Sequence, residues 1–226
     1  MEITYYGHSC FQVNTGDYKL LFDPFISPNE LASHIDISSI EADYILLSHG
    51  HADHVADAES IAKRTGAQII SSFEIVTWFE NKSLKNTHSM NVGGEWKFPF
   101  GLVKMVNAIH SNSLPDGSYG GTASGFVIDT GEKTFYYSGD TALFSDMKLI
   151  AEQYTLDFAF LCIGDNYTMG IREAMTAANF VGTNKIIGMH YDTFPWIKID
   201  REKTALAAKE AGKELTLMKI GETLQY

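Results

Sequence analysis

The sequence predicts a layered α/β domain with its helices outside the sheets, and three observations carry that prediction. Apolar runs of strand length alternate with helical stretches and hairpin turns, the pattern of strand–helix–strand units. One run, "ADYILLSH", is almost uninterruptedly apolar, which suits a strand buried on both faces. The second half of the chain resembles the first, which points to two sheets packed face to face.

In chain order, "ITYYGHSCFQVNTGDYKLLFDPF" reads as a strand, a hairpin turn at "NTGDY" and a second strand. After "ADYILLSH", the stretch "ADHVADAESIAKRTG" puts Val55, Ala58, Ile61 and Ala62 at helical spacing and closes on Gly66 as a C-terminal cap. "AQIISS" follows as a strand and "FEIVTWFENK" as a short helix. In the second half "GLVKMVNAIHS", "ASGFVIDTGEKTFYYSGDT" and "DFAFLCIG" read as strands, with a hairpin turn at "DTGEK". "REAMTAANFVG" is a helix, "KIIGMHY" a strand and "REKTALAAKEAG" a helix; "ELTLMKIGETLQY" closes as strand. No linker, low-complexity stretch or short repeat interrupts this series, so residues 1–226 read as a single domain.

Composition narrows the function classes. A chain of 226 residues can bury a substantial core, and its 45% hydrophobic and 20% charged content is ordinary for a soluble globular protein. A formal net charge of -11, without clustered Lys or Arg, speaks against nucleic acid as a partner. No run is long enough to cross a bilayer, and "MEITYYGHSCFQV" has neither a basic segment nor an apolar signal core, so a cytoplasmic protein without membrane insertion is expected. Cys10 and Cys162 sit in apolar surroundings and read as buried small hydrophobes.

The chemistry concentrates in "SHGHADHV". His49, His51, Asp53 and His54 fall within six positions, just where an apolar strand stops. Three further candidates recur at similar places: His110 ends "VKMVNAIH", Asp140 ends "TFYYSGD" and His190 ends "KIIGMH". Side chains from several strand ends converge on one edge of such a fold. Five histidines and two aspartates exceed what one tetrahedral ion needs; they suit two divalent ions, with a carboxylate bridging and a shared water or hydroxide. Imidazole with carboxylate favours zinc, manganese, nickel or iron over calcium and magnesium. Lowering the pKa of a bound water supplies a nucleophile at neutral pH.

Other residues have weaker claims. His8 in "YGHSCF" is either a hydrogen-bonded structural residue or a group beside the metals. Asp23 in "LFDPF" is either a turn starter before Pro24 or the carboxylate that orients a metal-binding imidazole. The Gly- and Ser-rich "HSNSLPDGSYGGTASG" reads as a mobile loop that covers substrate. Asp165, Asn166 and the backbone of 168–170 either meet substrate or, through Asp165 and Thr168, cap the helix after Gly170. His34 and His88 read as surface residues, and Trp78, Phe79, Trp96 and Trp196 as core or interface.

With "HGHADH", "IHS", "SGDT" and "GMHY" in this order, the chain resembles the metallo-β-lactamase-fold superfamily over nearly its whole length. "YYGHSCF", "LLFDPF", "GDNYTMG" and "MHYDTFP" make it most similar to the UPF0173 type of metal-dependent hydrolase, related to the ascorbate-6-phosphate lactonase and N-acylphosphatidylethanolamine phospholipase D branches. The resemblance implies a four-layer αββα sandwich. It also implies one metal on His49, His51 and His110, a second on Asp53, His54 and His190, and Asp140 bridging. It puts His8 next to the metals and implies self-association, so a homo-oligomer is expected. Asp140 stands where true class B β-lactamases often have cysteine, which points away from β-lactam hydrolysis.

The function expected is a metal-dependent hydrolase acting on a small molecule with an ester-like centre: a lactone, phosphodiester, phosphomonoester or thioester. Asp53 would position the nucleophile, and His8 is a candidate for the leaving-group acid. The alternatives are a metal-dependent oxidoreductase and a non-catalytic metal-binding protein on the same fold. Di-iron relatives use H-x-E-x-D, whereas here Ala52 and Asp53 follow His51.

Overall fold

In a computed structural model that describes residues 1–226, two seven-stranded mixed sheets carry helices on their outer faces. The strands are β1 (Glu2–Gly7), β2 (Cys10–Asn14), β3 (Lys19–Phe22), β4 (Tyr44–Leu46), β5 (Gln68–Ser72), β6 (Thr87–Met90) and β7 (Glu95–Phe98). They continue with β8 (Gly101–Asn107), β9 (Ser124–Asp129), β10 (Thr134–Tyr137), β11 (Phe158–Cys162), β12 (Lys185–Met189), β13 (Glu214–Thr216) and β14 (Thr223–Gln225). The first sheet runs β14-β1-β2-β3-β4-β5-β6 and the second β13-β12-β11-β10-β9-β8-β7. Read from β14 in the first sheet and from β7 in the second, three antiparallel pairings are followed by three parallel ones. The similarity of the two halves is thus a repeat of strand order.

The helices are α1 (Ala52–Val55), α2 (Ala58–Thr65), α3 (Phe73–Glu80), α4 (Lys148–Gln153), α5 (Ile171–Phe180) and α6 (Arg201–Glu210). None is long and apolar enough to cross a membrane. Facing strands fill the space between the sheets with aromatic rings, among them Phe11, Phe22, Phe135, Tyr137 and Phe160. A second cluster packs Val55, Ala58, Ile61 and Phe79 of the helices against Leu21, Ile45 and Ile69 of the first sheet. Cys10 and Cys162 are free and buried, as expected. Phe79 is core, but Trp96 and Trp196 are 55% and 69% exposed, so they are surface residues rather than core.

Three local expectations need correction and two strands went unread, each for a physical reason. The first strand breaks at His8 and Ser9, because Gly7 pairs with Cys10 across a two-residue turn in which His8 takes φ 56°. The helix expected after His51 breaks at Asp57, whose amide donates to the Pro24 carbonyl (3.0 Å) while its carboxylate accepts from Ile26 N and Ser27 N (2.7 and 2.9 Å). Gly66 does cap α2, at φ 77° with its amide on Ala62 O. The closing run "ELTLMKIGETLQY" is two strands in different sheets, β13 beside β12 and β14 beside β1. Lastly, β6 and β7 form the edges of the two sheets within a polar stretch that carries little apolar alternation, and His88 of β6 packs on Trp96 and Phe98.

Candidate metal centre

The C-terminal ends of β4, β8, β10 and β12 bring His49, His110, Asp140 and His190 to one place. A backbone bond ties the two sheets together there: Ser124 N at the start of β9 donates to Ser48 O at 3.0 Å. Gly139, just before Asp140, takes φ 57°. A Cβ on it would lie 2.6 Å from Ser124 O and 2.8 Å from Ser48 Cβ, so the approach of the two edges requires glycine.

Three sets of ligand-type atoms each lie within 4.8 Å of one another: His49 with His51 and His110; His8 with Asp53, His54 and His190; and, behind them, Asp23 with His49 and His54. Asp140 stands between the first two. Its Oδ2 is 2.8 Å from His190 Nε2, 3.3 Å from His54 Nε2, 3.6 Å from His110 Nε2 and 3.9 Å from His49 Nε2. All seven candidate ligands therefore come together. The cluster is closed at its base, where His49, His54, Asp140 and His190 are buried, and opens to solvent along His51, Asp53 and His110.

Asp23 is buried and holds the base. Its Oδ1 accepts from Ser48 N (2.8 Å), and its Oδ2 lies 2.5 Å from Ser48 Oγ and 2.8 Å from both His54 Nδ1 and Tyr137 Oη. It thus fixes the ring of His54 through the nitrogen that faces away from Asp140. His8 is also buried: Nε2 lies 3.1 Å from Asp53 Oδ2 and Nδ1 3.0 Å from Thr193 Oγ1. Its ring centroid is 4.3 Å from that of His190, and Phe25 and Phe194 pack around it at 5.5 Å. His8, Asp23 and His190 all have positive φ (56°, 42° and 58°), a conformation that non-glycine residues adopt at a cost of about 1–3 kcal/mol each and that concentrates at functional sites.

The electrostatics fit a cation. Burial, aided by His54, holds His49 well below the ordinary histidine value, and burial also lowers His51 and His110. Burial and His190 push His8 down to about 4. Neutral imidazole is the form that binds metal. Burial opposes ionisation of Asp140 and Asp53, yet His190 and His54 hold Asp140, and His54 and His8 hold Asp53, well below the usual carboxylate range. His54 is the exception: despite its burial, Asp140, Asp23 and Asp53 hold it well above the ordinary value. Three buried atoms here, His54 Nε2, His190 Nδ1 and Asp140 Oδ1, have no hydrogen-bond partner. An unpartnered buried polar atom is costly, and of the three His54 Nε2 is the one that faces the other rings, 3.3 Å from Asp140 Oδ2, where a cation would displace its proton. Ligand atoms around tetrahedral zinc stand about 3.3 Å apart, given Zn–N near 2.0–2.1 Å. The 3.1 Å between His49 Nε2 and His51 Nδ1 is close to that spacing.

Other expectations fare differently. Asp165 and Asn166 are exposed at φ 62° and 57°, and their polar contacts stay within their own turn, where Asn166 N donates to Asp165 Oδ1 at 2.8 Å. Neither Asp165 nor Thr168 caps α5, whose N-cap is Gly170 with no side-chain bond. The loop after His110 is fastened rather than loose. Asn112 Oδ1 accepts from Gly50 N (2.7 Å), its Nδ2 donates to Gly120 O (2.8 Å), and Trp78 Nε1 donates to Asp116 Oδ2 (2.6 Å). Asn112, Ser48 and Thr193 escaped the sequence reading because an amide or hydroxyl in a loop carries no spacing signal.

A family model for the beta-lactamase superfamily domain matches residues 18–191. Over the full length of both chains the protein is 52% identical to a UPF0173 metal-dependent hydrolase of Christiangramia forsetii. The chain belongs to the UPF0173 metal-dependent hydrolases of the β-lactamase superfamily. A UPF0173 relative from Bacillus subtilis is 42% identical, again over 100% of both chains. Among solved structures, the metallo hydrolase Igni18 of Ignicoccus hospitalis superposes with a TM-score of 0.89 at 32% identity, covering 100% of this chain and 98% of that one. An isothiocyanate hydrolase from Delia radicum gut bacteria shares the fold at a TM-score of 0.78 and 18% identity, covering 100% and 99%. This UPF0173 protein is accordingly a metal-dependent hydrolase with an α/β sandwich fold.

Proposed function

We propose that this UPF0173 hydrolase works with two divalent ions, zinc foremost, and cleaves an ester-like bond in a small molecule. His49, His51 and His110 would hold one ion, Asp53, His54 and His190 the other, and Asp140 would contact both. The observation that carries this reading is Asp140 Oδ2, within 4 Å of ring nitrogens from both sets. Bound there, the ions would supply a nucleophilic water at neutral pH and polarise an oxygen of the substrate.

The chain's own residues do the rest. Asp53 is ionised and reaches solvent, so its carboxylate can orient the attacking water and accept its proton at Oδ1 or Oδ2. His8 is neutral at pH 7 and faces an ionised Asp53, which requires the proton on Nε2 and leaves Nδ1 to accept from Thr193 Oγ1. His8 then acts chiefly by holding Asp53 in place, a refinement of the leaving-group role expected from sequence. Asp23 orients His54, and the rings of Phe25 and Phe194 keep bulk water from His8.

The test is hydrolysis by metal-reconstituted protein across lactones, phosphomonoesters, phosphodiesters, thioesters and a β-lactam, beside Asp140→Ala. Turnover of one bond class that vanishes in the variant is expected. Turnover that survives Asp140→Ala would overturn the two-ion reading.

A further inference from the structure

The charge of the chain is unevenly spread. Acidic residues outnumber basic ones 28 to 17, yet one open cleft of about 610 Å³ inverts the balance, with Lys198, Arg201 and Lys219 in its wall and Asp192 as its only carboxylate. That volume falls among those of small-molecule sites, roughly 300–1,000 Å³. The lining comes from separate parts of the sequence, residues 31–34, 192–201 and 219–220, so the fold itself assembles it. None of the seven candidate ligands lines it, nor does His8. Cleft and cluster nevertheless share one loop. It leaves His190, passes Asp192 in the cleft wall and Thr193 at His8 (3.0 Å), and returns through Lys198 and Ile199.

The cations of the cleft are largely uncommitted. Of the three only Arg201 is ion-paired, with Nη2 3.3 Å from Asp192 Oδ2. The other oxygen of Asp192 accepts from Ile199 N at 3.0 Å, so that carboxylate is engaged on both sides. The Arg201 guanidinium stands 5.4 Å from the centroid of the buried Tyr191 ring, a contact that holds the fork in place while further donors remain for an oxyanion. Two flanking carboxylates serve the fold: Asp200 caps α6 by accepting from Lys203 N (3.1 Å), and Glu222 accepts from Lys219 N (2.7 Å). Leu31, Ile199 and Ile220 give the cleft apolar walls, and His34 adds ring nitrogens that donate or accept. A net charge of -11 repels anions at long range, so an anion held here depends on these local cations.

We propose that this cleft binds a free small organic anion, a phosphate monoester or carboxylate on an apolar body, at a site separate from the metal cluster. Lys198 and Lys219 supply point charges, Arg201 a planar fork for the oxyanion, and Leu31 and Ile220 the apolar contact. The proposal goes beyond the hydrolase reading and does not depend on it.

The experiment titrates the full zinc-loaded chain with phenyl phosphate, phenylacetate and, as the uncharged control, benzyl alcohol, following the backbone amides by NMR. Both anions should move the amides of Lys198, Arg201 and Lys219 saturably, and benzyl alcohol should bind about tenfold more weakly. The tighter of the two anions identifies the headgroup. The double variant Lys198→Ala/Lys219→Ala, altered at two exposed positions, should weaken anion binding by about tenfold. Arg201→Lys keeps the charge and loses the fork, and should weaken it by about threefold. Anion binding unchanged in the double variant, benzyl alcohol binding as tightly as the anions, or no saturable shift would overturn the proposal. Shifts of residues 49–54 and 140 in place of the cleft would also overturn it, by placing the anion at the metal centre.

Discussion

His54 and Asp23 meet where neither side chain has exposed surface: Nδ1 of the ring lies 2.8 Å from Oδ2 of the carboxylate. That contact fixes which nitrogen of His54 faces Asp140. Carboxylates behind metal-binding imidazoles typically matter by about 10–100-fold in metal affinity. Asp23→Ala should therefore weaken binding of the ion proposed to sit on His54 by that factor, measured by competition with a zinc chelator. It should also lower the melting temperature, because Tyr137, Ser48 and His54 lose their buried acceptor. Unchanged affinity with a lowered melting temperature would assign Asp23 to the fold alone.

Metal removal should destabilise the protein. A ligand present at a thousandfold its Kd stabilises the folded state by about 4 kcal/mol. Exhaustive chelation should lower the melting temperature, and added zinc should restore it. A melting curve indifferent to chelator and zinc would contradict a centre built into the core.

The metal-free protein should also depend on pH in a defined direction. Burial works against a charge on His54, but Asp140, Asp23 and Asp53 raise its pKa in the folded state above 6.5. A raised folded-state pKa contributes stability that is fully present below the unfolded value near 6.5 and is lost as pH rises through the folded pKa. In chelator, stability should fall as pH climbs above 6.5, and zinc binding should release protons. His54→Gln should remove that slope; a slope that stays would belong to other groups.

Asn112 bridges two segments that hold the cluster's neighbours, Gly50 and Gly120. Asn112→Ala should loosen residues 113–120, raise KM more than it lowers kcat, and open that loop to limited proteolysis. An unchanged cleavage pattern would show that Trp78 and Asp116 suffice to hold it.

Asp57 lies outside the cluster and serves the fold. Asp57→Ala leaves the amides of Ile26 and Ser27 without their acceptor, at a cost of about 1–3 kcal/mol. The urea midpoint should fall accordingly; no shift would mean that solvent replaces the carboxylate.

The cluster was legible because metal binding restricts residue type and spacing: His49, His51, Asp53 and His54 stand out within six consecutive positions, and His110, Asp140 and His190 by their place after strands, and the structure brings all seven together. The fold class was legible because apolar periodicity reports which faces are buried. Breaks made by distant partners were not. Nothing around Asp57 shows that Pro24 will accept its amide, and nothing in "ELTLMKIGETLQY" shows that its two ends join different sheets. Thr193 escaped for a similar reason, since its partner, His8, lies 185 positions away.

The pairing of β14 with β1 orders events during synthesis. Tyr226 N donates to Met1 O at 2.9 Å, and Thr223, Leu224 and Gln225 lie opposite Thr4, Ile3 and Glu2. While a ribosome is still making the second sheet, the nascent chain carries β1 with one edge bare, a template for pairing with a neighbouring chain. The edge is covered only when residues 223–225 emerge. The closure spans nearly the whole sequence, and such long-range pairings form late. Aggregation of a C-terminally shortened chain would then begin at β1, at the opposite end of the sequence from the cut.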